Sequence, residues 1–146
     1  MLKHVCSTGF HITIPNEVYA ELIAGSHSAA TLVSTLDWLN VCAVTDVEQI
    51  EVLQRDAKIH IGEAAAIVLA EELRAERLLV DERAARRVAI TRQLPVIGTV
   101  GILLLAKQQK LLEDIKPVLG SLIENGTRIG PRLYEQALEI AEEPTR

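Results

Sequence analysis

Glu21, Glu63 and Asp81 are the residues whose types and placement could do chemistry together. Glu63 opens the run GEAAAIVLAEELRAERLLVDERAARRVA, and Asp81 directly follows its short stretch RLLV. Glu63 shares a helical face with Ala66, Ile67 and Ala70, the face expected to turn inward. A carboxylate on that side is costly unless it is paired or ligates something. In a first helical turn it is also favoured by the dipole. Asp81 reads equally as the N-cap of the next helix. Glu82 beside it is a first-turn acid or a spare ligand. Glu21 stands in VYAELIAG between Val18, Leu22 and Gly25, and by itself reads as a surface acid. Glu17, one turn earlier, is expected to face solvent. Acids converging on one edge would make an oxygen-rich pocket of the kind Mg²⁺ and Mn²⁺ prefer. A metal pair held this way serves phosphodiester cleavage, by activating water and stabilising the leaving oxygen.

The elements that must hold these acids are short. HITIP (11–15), VCAV (41–44), RLLV (77–80) and PVIG (95–98) read as strands. Helices are expected over NEVYAELIAG, 46–56 with Asp46 as N-cap, 62–74, 82–93, 99–112 with Thr99 as N-cap, 114–124 and 131–142. Gly25 and Asn125-Gly126 read as helix stops, and Pro131 as a helix start. Short apolar strands alternating with helices imply a parallel sheet covered on both faces. Ligands of such sheets sit at the C-terminal strand edges, where Asp81 and Thr99 would lie.

The 146 residues are 49% hydrophobic and 24% charged, enough to bury a core. A net charge of −5 argues against a protein that coats nucleic acid over its whole surface, which would be basic. A local patch remains open: Arg83, Arg86, Arg87 and Arg92 form an acid-free run that could touch a phosphate backbone or simply be a solvated face. Only Cys6 and Cys42 are present, which fits a reduced, cytoplasmic chain without a disulfide framework. The longest apolar run, Val96 to Ala106, has 11 residues, short of the roughly 20 a membrane span needs. The N-terminal residues do not read as a signal peptide. His4, His11, His27 and His60 share no metal spacing, and no glycine-rich phosphate loop is present. Trp38 and Tyr134 read as packing residues. Leu133, Ala137 and Ile140 form an apolar stripe for the core or a partner subunit.

Four runs occur in order: AELIAG, GEAAAIVLAEELRAERLLVDERAARRVA, LPVIGTVGILLLAKQQKLL and RIGPRLYEQAL. Together they resemble the PIN-domain superfamily, and more closely a PIN-like branch related to VapC toxins, over roughly residues 10–142. The resemblance implies an α/β fold, a three-layer sandwich with a short parallel sheet of about four strands flanked by helices. It implies one domain over 1–146, with the helices of 114–142 as an extension. It also implies descent from ribonucleases dependent on Mg²⁺ or Mn²⁺. On the matching motifs Glu21, Glu63 and Asp81 fall on acidic site positions, with Glu82 as alternate ligand. Arg83, Arg86, Arg87 and Thr99 are placed to meet a phosphate or a metal-bound water, and Thr99 reads equally as a plain cap.

The same resemblance marks a departure. The family opens with a central strand carrying an Asp, and MLKHVCSTGFHITIP resembles the segment that follows it. His60 also stands where relatives often carry Asp. Without the first Asp, cleavage is expected to be weak or absent. Without the strand, a rearranged sheet or a homodimer is expected. RNA and a small antitoxin are the expected partners, and no membrane. The alternative is a non-enzymatic binding or dimerisation module of the same fold.

Overall fold

The computed structural model describes residues 2–6, 9–25 and 29–146. His27 and the side chains of His4, Cys6 and His11 lie outside what is described. The chain forms two compact units, Met1–Ile97 and Gly98–Arg146.

In the first unit, β1 (Leu2–Cys6) and β2 (Gly9–Pro15) form an antiparallel hairpin. On its other edge β2 runs parallel to β3 (Leu39–Cys42), with Ile12 opposite Leu39 and Pro15 opposite Cys42. A second, two-stranded sheet joins β4 (Leu78–Leu79) to β5 (Val96–Ile97) in parallel. The amides of Leu78 and Val80 donate to the carbonyls of Pro95 and Ile97 at 2.8 and 3.0 Å. The four strands read from the sequence are thus present as short elements, but in two sheets, and β1 adds an antiparallel strand. The parallel pairs and the helices between them make the α/β architecture of a PIN-like sandwich.

The helices of this unit are α1 (Asn16–Ala24), α2 (Ala29–Val33), α3 (Val47–Ala57), α4 (Ile61–Glu72) and α5 (Arg83–Thr91). Helix α4 is its spine. Gly62, Ala64, Ala65, Ile67, Val68, Leu69 and Ala70 are all buried in it. Small residues on most of its faces let α3, α5 and β4 approach, and their apolar residues complete one core. Its last turn carries Glu71 and Glu72, where the dipole disfavours negative charge. Each is offset by partners. Arg92 donates to both Glu71 oxygens at 2.8 Å and to Gln49 at 3.2 Å. Glu72 accepts from the amides of Thr45 and Asp46 at 3.0 and 2.8 Å, which fixes the turn into α3. Asp46 caps α3 as expected, accepting from the Gln49 amide at 3.2 Å. Trp38, expected to pack, is 43% exposed instead, on the turn leading into β3.

The second unit holds α6 (Thr99–Gln108), α7 (Lys116–Glu124) and α8 (Pro131–Ile140). Its core is Ile115, Leu119, Ala137, Leu138 and Ala141, with Tyr134 packed against it. The stripe on α8 divides: Ala137 enters this core, while Leu133 and Ile140 stay exposed. Gly98, not Thr99, caps α6, and Thr99 is its first helical residue.

Glu142 ends α8 in the left-handed region at φ 58, and the Glu143 amide then donates to the Leu138 carbonyl at 2.9 Å. That turn buries the Glu143 side chain against the start of α7. There it accepts from the amides of Ile115 (2.7 Å) and Lys116 (3.0 Å) and from Lys107 Nζ (2.6 Å). Burial pushes the Glu143 carboxyl up, but these donors outweigh it and hold it below its ordinary 4.5. Its hydrogen bond to Glu143 raises Lys107, with burial opposing.

Replacing Glu143 with Ala strands two amides and should destabilise by about 1–3 kcal/mol, read by urea unfolding at neutral pH. Because the folded pKa is lowered, this contribution is complete above the ordinary value near 4.5 and is lost as pH falls through the folded value. The difference between parent and Glu143→Ala should therefore shrink on acidification. A difference that grows on acidification would contradict the assignment.

Candidate active site

Two of the candidate acids come to the first turn of α4. The Glu63 side chain folds back, and its Oε2 accepts from the His60 amide at 3.0 Å. This is half of a capping box, three residues into the helix. The sequence spacing carries that signal, but His60 is not a customary N-cap residue, which hides the pattern. Glu63 is thus half-buried as expected and is at the same time engaged as a cap.

Glu21 reaches the same turn from α1. A Cβ placed on Gly62 would lie 2.8 and 2.9 Å from its two carboxylate oxygens. The Glu21 side chain is therefore an exposed acid whose head is laid into a notch one residue before Glu63. Sequence reasoning named both residues as candidate ligands but had no way to see the notch. The two are 42 positions apart, and the glycine between them looked like a helix opening. Glu17 lies one turn earlier on α1 and was expected in solvent. Its Oε2 is instead buried and has no hydrogen-bond partner among the described residues.

Asp81 lies exposed at the C-terminal end of β4, the edge expected for it. The N-cap of α5 is Glu82, not Asp81: its Oε1 accepts from the Ala84 amide at 3.4 Å. Glu82 thus serves as a cap rather than as a first-turn acid. Among the described residues no three His, Cys, Asp or Glu side chains are grouped closely enough to hold a metal ion. The structure brings Glu21 and Glu63 to one helix turn and does not add Asp81 to them as a third ligand.

The arginines divide as well. Arg92 is committed to Glu71 and Gln49, on the α4 side of α5. Arg86, half-buried, donates to the Val80 carbonyl at 2.9 Å and so ties α5 to the strand end that presents Asp81. Arg83 and Arg87 remain exposed, one turn apart on α5. Thr99 belongs to the second unit.

A family model of the PIN domain matches residues 2–143, nearly the whole chain and both units. The chain belongs to this PIN-domain family, whose fold is of the nucleic-acid-binding, nuclease type and whose members typically depend on a divalent metal. No curated protein and no solved structure matches it. Among the described residues no helix is long and apolar enough to cross a membrane.

The capping role of Glu63 has a measurable weight. Glu63→Ala should lower the unfolding free energy by about 1 kcal/mol, while Glu63→Gln, which keeps an acceptor, retains most of it. Equal losses in the two variants, measured by urea unfolding, would contradict a cap.

Proposed function

We propose that this PIN-domain chain binds RNA and carries a weakened ribonuclease-type site built on Glu21, Glu63 and Asp81. The observation that supports this reading best is the seating of the Glu21 carboxylate against Gly62, in the same first turn of α4 that carries Glu63. Mg²⁺ and Mn²⁺ are commonly held by one or two protein carboxylates, with water and substrate oxygens completing the shell. Glu21 and Glu63 fit such a donor set and would hold the ion. Asp81 and Glu82, after β4, are further acids. When bound, the ion supplies neutralisation of charge on a phosphodiester. The chain's own part is to hold the two carboxylates at one turn and to offer Arg83 and Arg87 to the backbone phosphates. Arg86 keeps the Asp81 strand end in place. Two acids in place of a three-acid group, one of them engaged as a cap, make weak cleavage the expected behaviour.

That same engagement favours a second reading, a binding module in which the acids serve only as caps. Within the first reading the chain is a cytoplasmic protein of toxin type that dimerises and pairs with a small antitoxin. The support for this is the likeness of its four sequence runs to VapC relatives.

Anisotropy of a labelled single-stranded RNA across a salt series tests the binding. Arg83→Ala/Arg87→Ala should weaken the complex and flatten the slope of log affinity against log salt by roughly 1.4, about 0.7 for each lost phosphate contact. An unchanged slope would remove α5 from the interface. Absence of any RNA binding by the parent would overturn the reading itself.

A further inference from the structure

The glycine at the start of α4 has no local reason to be there. Its backbone is not in the left-handed region, which holds Gly126 as the sole glycine among the described residues. Position 62 is the second residue of a helix that continues through Ala64, Ala65 and Ala66, where glycine is the poorer helix former. It is buried, so it does not open the turn to solvent. What does require it is Glu21. Any side chain at 62 would begin under 3.0 Å from both carboxylate oxygens.

We propose that Gly62 is the positioning residue of the acidic pair. By lacking a Cβ it provides the seat in which the Glu21 head group rests, and that seat holds Glu21 at the helix turn that carries Glu63. This rests on the reading of Glu21 and Glu63 as the divalent-cation site. The contact is with the far end of a flexible side chain, so a methyl group at 62 can be accommodated by swinging the carboxylate away. Gly62→Ala should therefore fold and yet misplace Glu21. A residue kept only for packing would behave in the opposite way, losing stability and leaving Glu21 where it was.

The test is NMR of the full chain, first without metal and then with Mn²⁺. In Gly62→Ala the side-chain carboxyl ¹³C resonance of Glu21 should move, with the spectrum otherwise that of a folded protein. Paramagnetic broadening of the Ile61–Glu63 amides by Mn²⁺ should then need about 10- to 100-fold more ion than in the parent. If the Glu21 resonance stays in place in Gly62→Ala, the proposal is overturned, whether or not Mn²⁺ binds. If it moves while the parent shows no Mn²⁺ broadening, the positioning stands and the cation reading is what fails. Should Gly62→Ala not fold, Glu21→Ala/Gly62→Ala decides the matter. Recovery of folding supports the contact with Glu21, and no recovery overturns it.

Discussion

Helix α4 is buried on almost every side, and the first unit depends on that. A helix so placed cannot leave its terminal amides and carbonyls to water. Its ends must be satisfied by side chains that arrive from elsewhere. At the C-terminal end, Glu71 and Glu72 would be liabilities in isolation. They become ties once Arg92, Gln49 and the Thr45–Asp46 turn close around them. At the N-terminal end, Glu63 turns back onto the His60 amide and Glu21 comes in from α1. The turn that Glu63 caps is thus also the one that Glu21 reaches. The capping role and the proposed chemical role coincide at this turn because both favour negative charge at a helix start.

The second unit meets the same requirement in another way. Its α7 begins with two amides that no local residue caps, and Glu143, 28 positions from Ile115, supplies the acceptor. Three donors converge on that one carboxylate, and its ionised form is favoured in spite of burial. The left-handed turn at Glu142 sets the direction of the side chain, so the tail after α8 is part of the fold of this unit.

Much of this was legible in the sequence, and the rest was hidden for physical reasons. Alternation of short apolar stretches with helices gave the α/β class, and the alanine-rich run gave α4. Glu21 and Glu63 were placed on the helices that carry them and Asp81 after its strand, with Glu63 on the half-buried side. Helix ends were harder. Arg74, Gln93, Lys110 and Glu142 all stop helices in the left-handed region, a place where glycine is the usual signal. Among the described residues glycine appears there only at Gly126, the position where Asn125-Gly126 signals a helix stop. Strands of two residues, such as Leu78–Leu79, are too short to show a period, so their division into a separate sheet was not visible. Tertiary contacts at long sequence separation were out of reach altogether. These are the Glu21–Gly62 seat, the burial of Glu17, the Arg86–Val80 tie and the Glu143 cap. Arg86 and Arg92 showed as part of a uniform basic face because charge alone does not tell which arginines are already spoken for.

The central claim is that Glu21 and Glu63, brought to one turn of α4, still form a cation site and are not caps alone. Calorimetric titration of Mn²⁺ into the purified chain, beside Glu21→Gln and Glu63→Gln, tests it most directly. The account predicts weak binding by the parent that is lost in both variants, since each removes one of the two charged ligands. No heat of binding in the parent, or binding that survives in both variants, would contradict it.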